Sequence, residues 1–577
     1  MSISAASGSR HGDVETITGV NIMQRSGEVL RKVLYGFGAA AALAASVAWA
    51  DQQPPAASGN GGPPLFDNLG NLHHPITTSS PEAQQYFDQG LRLVFAFNHE
   101  EAINSFEAAA RRDPKTAMAH WGVALALGPN INLPMDRESE KRAYEAIQRA
   151  RALAASVSPM EQAYIEALAT RYSIAPDAQR ETLDAAYVEA MRKVWARDSK
   201  DVDAGTLYAE AMMDVQPWDY WTPQGQPKGH ATEIVATLER VLQLNPDHPG
   251  ACHYYIHAVE ASSKPERALP CAKRLPDLAP GAGHLVHMPG HIYLRLGMYQ
   301  EAVERNVHAT SVDHDYLAHR KLVGSYPMAY YPHNVHFLWS VLTMEGRSKE
   351  AMKAAYDLRT LVPLDAARKE LALEEFTSSL PFALVRFGKW NDALALPQPP
   401  AELTYTTVIW HYARGIAFAA TTRFDEAQRE QKALTELAGS IPQDRTMGVT
   451  RVVDLARIAD LVLAGEIAAR QGQYEPAIAK LNEATMLEDA LRYYEPPLWH
   501  IPVRHSLGAV LLQAGRPAEA EAAYRIDLMQ HPHNGWALFG LKQSLEAQQK
   551  MQDATTTDQE FQKAWARADV KLTGSRF

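Results

Sequence analysis

The residues best suited to chemistry are histidines gathered into three phrases: His253-Tyr-Tyr-Ile-His257, His284-Leu-Val-His287-Met-Pro-Gly-His291 and His333-Asn-Val-His336. Only 22 histidines occur in 577 residues, so seven in three short phrases is far above a random share. Steps of three and four residues put side chains on one face of a helix. Imidazole is the commonest transition-metal ligand and the side chain best placed to move protons near neutral pH. A His pair four residues apart can hold one metal, and a third ligand from a neighbouring helix would complete a site with an open position. The core expected on this reasoning is His253, His257, His287 and His291. His336 is the next candidate, then His284 and His333. Glu260 is the candidate ligand, ligand-orienting partner or catalytic acid/base. Mononuclear and dinuclear arrangements both fit, and the donor set suits Zn, Cu, Fe or Mn. The spacing is not the His-Glu-x-x-His motif of zinc peptidases, because Tyr254 stands where the glutamate would be.

Elements must hold these residues together, and the bulk sequence bounds them. A chain of this length predicts several domains or an extended repeat array. Acidic residues number 67 against 56 Lys and Arg, a net charge of −11. That balance argues against a nucleic-acid binder, which would normally carry a basic surface. Near the N-terminus, Arg25, Arg31 and Lys32 precede the apolar stretch Val33 to Ala48, and Ala48-Trp49-Ala50 fits a small-x-small cleavage site before Asp51. This reads as an export signal, with Met23 an alternative start. The mature protein is then expected to be periplasmic or secreted, with no membrane span once the signal is cleaved. Cys252 and Cys271 are the only cysteines. They read either as a disulfide across one helical hairpin or as two buried small hydrophobes.

Proline punctuation supplies a repeat period: Pro246 to Pro280 is 34 residues, and Pro114, Pro363 and Pro532 also follow helical stretches. From Ala83, the residues Gly90, Ala102, Phe106, Ala109 and Pro114 recur at the spacing at which small side chains let two antiparallel helices approach closely. This pattern resembles the tetratricopeptide repeat (TPR). Further copies begin near Pro249, Gly283, Pro332, Glu374, Val408, Ile458 and Ile501. The fold expected is an all-α, right-handed TPR-type solenoid of antiparallel helix pairs. Its expected organisation is a signal region over 1–50, a flexible linker and strap over 51–81, and N-terminal repeats over 82–230. A histidine-rich central region follows over 231–345, then C-terminal repeats and a capping helix over 346–577. An insertion near Asp315 to Tyr330 separates the last two histidine phrases.

The resemblance also implies where the histidines point. In TPR folds the first helix of each pair lines the concave groove, and the seven histidines fall on its groove-facing positions. His73 and His74, with Pro75, read either as a strap across that groove or as ordinary structural residues, and Tyr326, Tyr330 and Tyr331 as a cover or a packed loop. Trp499 reads as packing. Arg504 reads either as packing or as an anion holder. The phrases His253 to Glu260, His284 to Tyr293 and Tyr331 to Phe337, with Tyr86 to Leu91, Phe97 to Ala102 and Trp536 to Gly540, resemble exported bacterial TPR proteins with a histidine-rich middle. That likeness implies the fold and no particular reaction. Two functional readings stay open. One is a groove carrying a transition-metal site, as a metalloenzyme of unresolved class acting on a small molecule or peptide. The other is a non-catalytic scaffold holding a peptide or protein partner in the cell envelope.

Overall fold

The computed structural model describes residues 63–320 and 324–577. The expected export signal and most of the expected linker therefore lie outside the described residues. Beyond them the chain is almost wholly helical, and its helices stack as consecutive antiparallel pairs in the manner of a TPR solenoid. The N-terminal repeats comprise α1 (Pro81–Phe95), α2 (His99–Arg112), α3 (Ala117–Ala126), α4 (Arg137–Leu153), α5 (Pro159–Ala169), α6 (Arg180–Arg197), α7 (Val202–Val215) and α8 (Ala231–Leu244). The central elements are α9 (Pro249–Glu260), α10 (Leu269–Leu278), α11 (Gly283–His287), α12 (Pro289–Arg295), α13 (Tyr299–His319) and α14 (Tyr331–Met344). A π-helical turn, Tyr326–Tyr330, leads into α14. The remaining repeats run from α15 (Ser348–Leu361) to a last helix, Met551–Ala564. The only strands among the described residues are the two-residue pair Thr446–Met447 and Thr450–Arg451.

Small residues set how closely the helices approach. Phe106 of α2 is fully buried against α1 and α3 at Gly90 and Gly122. A Cβ on Gly90 or Gly122 would fall 2.6 or 2.4 Å from that ring. The repeat signature thus marks a knob and the two hollows that receive it. The insertion near Asp315 is not an added loop. It lengthens α13 to 21 residues, and the chain then returns through the π-turn to start α14.

Two further features convert an open groove into an interior. Residues 63–80 lie as a strap against α1. Gln89 accepts from the Phe66 N–H, Arg92 donates to the Leu72 carbonyl, and the Gly281 N–H donates to the Asn68 carbonyl across the groove. At the other end, the C-terminal repeats fold back onto the middle of the chain. The Trp536 indole donates to the Thr343 carbonyl, and Asp569 accepts from the backbone N–H groups of Ser348 and Lys349. Cys252 and Cys271 are both buried free thiols, which is the second of the two sequence readings.

Replacing Gly122 with Val should cost about 1–3 kcal/mol, because Phe106 has no free volume to move into. Urea unfolding monitored by helical circular dichroism measures this. An unchanged midpoint would show that the Phe106 ring can leave its hollow.

Candidate metal centre

The first histidine-bearing helix, α9, is fixed at its start. The His248 side chain caps it by accepting from the Ala251 N–H, and its other ring nitrogen meets Asp203 at 3.0 Å. His74 of the strap binds the second oxygen of Asp203 at 2.7 Å. Burial opposes ionisation of Asp203, yet hydrogen bonds and charge from His248 and His74 hold its carboxyl well below the usual range. His74, Asp201 and Asp203 could also group around a cation, but protein donors already engage all three. This knot ties the strap to α7 and α9 through His74. His73 itself pairs with Asp88 at 2.7 Å.

From that start, α9 presents His253, His257 and Glu260 on one face. Next in the chain, α11 and α12 carry His284, His287 and His291 across the break at Met288-Pro289, where proline has no N–H to continue the ladder. The third phrase contributes His333 from the first turn of α14. Six imidazoles therefore converge from four helices. They form two groups of three, His253, His257 and His284 in one and His287, His291 and His333 in the other, with the ligand atoms of each within 4.8 Å of one another.

What orients the rings is a set of anchors on their Nδ1 atoms. His253 Nδ1 donates to the Phe95 carbonyl at 2.7 Å, and His287 Nδ1 meets Asn306 Oδ1 at 2.7 Å. The Asn306 amide is itself pointed by its donation to the Ala302 carbonyl. It reaches His287 only because Gly290 has no Cβ, which would lie 2.7 Å from its nitrogen. Glu260 accepts from His257 Nδ1 at 2.8 Å and from His291 Nδ1 at 2.6 Å, and Tyr493 donates to the same carboxylate at 3.1 Å. These partners assign the proton to Nδ1 in four rings and leave each Nε2 as a bare lone pair.

The Nε2 atoms face inward. His253 and His284 approach to 3.2 Å, His287 and His333 to 3.1 Å, and His287 and His291 to 2.8 Å. The Nε2 of His257 is buried with no hydrogen-bond partner. Nitrogens bound to one tetrahedral metal at about 2.0 Å sit about 3.2 Å apart, so the spacing is at or a little under that of shared ligation. Burial pushes His253, His257, His291 and His333 down to about 3, and burial with neighbouring imidazoles pushes His284 and His287 well below their ordinary value. The site is an interior of neutral, electron-donating rings.

Aromatic side chains close it. Phe97 packs edge-on to His253 with centroids 4.5 Å apart and stacks on His284 at 5.4 Å. Trp218 meets His257 at 5.1 Å, Tyr330 meets His284 at 5.1 Å, and Phe337 lies 4.8 Å from both His287 and His291. Phe97 and Trp218 hold left-handed backbone conformations, φ 57° and 59°. For a bulky residue that costs roughly 1–2 kcal/mol, and such strain persists where surrounding structure fixes it. Here it delivers both rings onto the imidazoles.

One sequence candidate, His336, falls elsewhere, and Glu260 takes one of the three roles read for it. His336 does not join the cluster: it stacks on Trp339 at 5.4 Å and faces His500 at 5.0 Å in a separate buried pocket. One residue step of about 100° per position puts it on another side of α14 from His333. Glu260 sits behind His257 and His291 on their Nδ1 side, which gives it the orienting role rather than a place at the inward nitrogens. A cation held by His257, Glu260 and His291 is geometrically conceivable. There the Nδ1–H groups of His257 and His291 donate to the carboxylate, so those nitrogens offer no lone pair to a cation. Away from the cluster, Arg504 is paired with Asp489 at 2.6 Å and holds no free anion position. Trp499 is buried packing against Phe382 and Tyr412. Asn306, Asp313, Phe97, Trp218 and Tyr493 were missed by sequence reasoning. Asp313 accepts from Tyr326 at 2.7 Å and Asn334 at 2.6 Å, joining the inserted turn to α14.

No protein-family model matches the chain, and no curated protein matches it in sequence. Among solved structures it is similar to a chain of the APC/C hetero-tetramer Cut9–Hcn1, with 13% identity over 80% of this chain and 76% of that one and a TM-score of 0.31. Human IFIT1, in its dimer with m7Gppp-AAAA, is 12% identical over 85% of this chain and 92% of its own, with a TM-score of 0.31. Yeast Tom70 is 12% identical over 83% and 90%, with a TM-score of 0.28. Likenesses this distant say nothing of what the histidine cluster does.

Proposed function

We propose that this protein is an exported TPR-type solenoid whose enclosed groove holds a transition metal on imidazole ligands and uses it on a small molecule. One observation carries the reading: His287 and His291 present bare Nε2 lone pairs to each other at 2.8 Å. With both Nδ1 protons committed to Asn306 and Glu260, no hydrogen remains to bridge them. Two facing lone pairs in a buried site repel unless a positive centre takes both, and a metal does so without forming a buried imidazolium. The metal would supply Lewis acidity or redox chemistry, while Glu260, Asn306 and the Phe95 carbonyl hold the ring planes for it.

A small molecule fits better than a peptide. The strap and the aromatic rings occupy the groove at the histidines, five of which are at most 2% exposed. A cavity of about 400 Å³ lies between the strap and α13, lined in part by Phe66, Asn98, Tyr316, Arg320 and Tyr326 and by none of the six histidines. The Tyr326 hydroxyl in its wall accepts from the His284 backbone N–H. Its volume is that of a small-molecule site. Export rests on the basic, apolar and small-x-small pattern ending at Ala50.

Protein purified without a polyhistidine tag after metal supplementation should retain at least one equivalent of a transition metal by elemental analysis. Less than about a tenth of an equivalent sinks the metal reading and leaves the scaffold reading standing. The double variant His257→Ala, His291→Ala should lose the metal while keeping its helical signal, because neighbouring repeats stabilise the solenoid. Asn306→Leu should weaken metal affinity about 10–100-fold by freeing the His287 ring, as competition with a chelator would measure. Unchanged affinity would mean that packing alone holds that ring.

A further inference from the structure

Resting on the metal reading, we infer that the six histidines form a paired copper centre, one ion on His253, His257 and His284 and the other on His287, His291 and His333, with dioxygen as the ligand bound between them. The two groups share no residue, and each supplies three imidazoles. They also abut. Rings of opposite groups have centroids 5.3 Å apart for His257 and His291, 5.7 Å for His284 and His287, and 6.3 Å for His284 and His333. Two-metal sites hold their ions about 3.5–4 Å apart, a separation that one diatomic ligand can bridge.

Copper follows from the donors and the charge. Neither triad contains a carboxylate or thiolate, which disfavours metals that prefer oxygen or sulfur, and Cu(II), the oxidised state of such a pair, heads the divalent affinity order for nitrogen donors. The carboxylate in direct contact with these rings is Glu260, and it is shared, binding His257 of one triad and His291 of the other. Two divalent ions would place four positive charges beside it in a buried, aromatic-walled space. Two Cu(I) ions place two, a far smaller burial cost. Three imidazoles also suffice for Cu(I), leaving each ion open toward its partner.

The binding step balances without any other reactant. Each Cu(I) gives one electron, the O–O bond order falls from two to one, and the product is peroxide held between two Cu(II) ions. No proton moves, and release of dioxygen reverses the transfer. Phe97, Phe337 and Trp218 around the rings would keep water from displacing the bound oxygen.

The test uses the full chain, stripped of metal and titrated anaerobically with Cu(I) against a chromogenic chelator, then exposed to air. The expected result is saturation at two equivalents, followed by an intense near-ultraviolet charge-transfer band and Cu(II) that gives no paramagnetic resonance signal, because the paired spins couple. His284→Ala and His333→Ala, one from each triad, should each bind a single equivalent, lose the band and show an ordinary Cu(II) signal after oxidation. Saturation of the unmodified chain at one equivalent overturns the pairing and leaves the metal reading intact. Two equivalents with a full Cu(II) signal, or with no oxygen-dependent band, also overturn it. No retention of copper or of any other transition metal overturns both.

Discussion

The Glu260 carboxylate is the contact on which the rest of the centre depends. One side chain at the end of α9 binds the Nδ1 atoms of His257 on its own helix and His291 on α12, with Tyr493 donating to it from the far repeats. A rigid two-oxygen acceptor between two helices fixes the planes of both rings at once. It also fixes their tautomers, so each Nε2 is a lone pair aimed inward. Without such an acceptor, a buried imidazole would turn to satisfy its N–H elsewhere, and inward convergence would be lost.

The solenoid supplies what one helix cannot. A single helix can offer a pair of imidazoles four residues apart, whereas the six here come from four helices held close. Small residues at Gly283 and Gly290 permit that approach: a Cβ on the first would meet the Asp313 carboxylate at 1.9 Å, and one on the second would displace Asn306. The long α13 then carries both Asn306 and Asp313, one anchoring His287 and the other anchoring the turn that delivers His333. The insertion thus positions the third phrase.

Much of this was legible in the sequence because helices impose a period. The proline spacing and the Gly90, Ala102 and Phe106 pattern gave away the repeat, and three- and four-residue steps gave away one face of α9. Glu260 stood out because it continues that face. Legibility ended where tertiary contacts took over. No local rule says that the Phe95 carbonyl receives His253, or that Phe97 and Trp218 adopt left-handed conformations to reach the rings. His336 shows the same limit from the other side. Its step of three from His333 looks helically equivalent, yet a rotation of about 60° away from exact superposition sends it to Trp339 and His500.

An open TPR groove is a wet surface, and histidines on it would be ordinary hydrogen-bonding residues. Here the strap pinned by Asp88 and Asp203, and the C-terminal repeats returning against α14 and α15, remove that surface from water. Enclosure changes the chemistry of the same side chains. It lowers their basicity, makes unpartnered nitrogens costly, and raises the value of any cation that satisfies them. A buried interior that contains more lone pairs than hydrogens would be stabilised by an electrophile among them. The fold therefore places its histidines where a metal, if bound, would also bear on the stability of the closed groove.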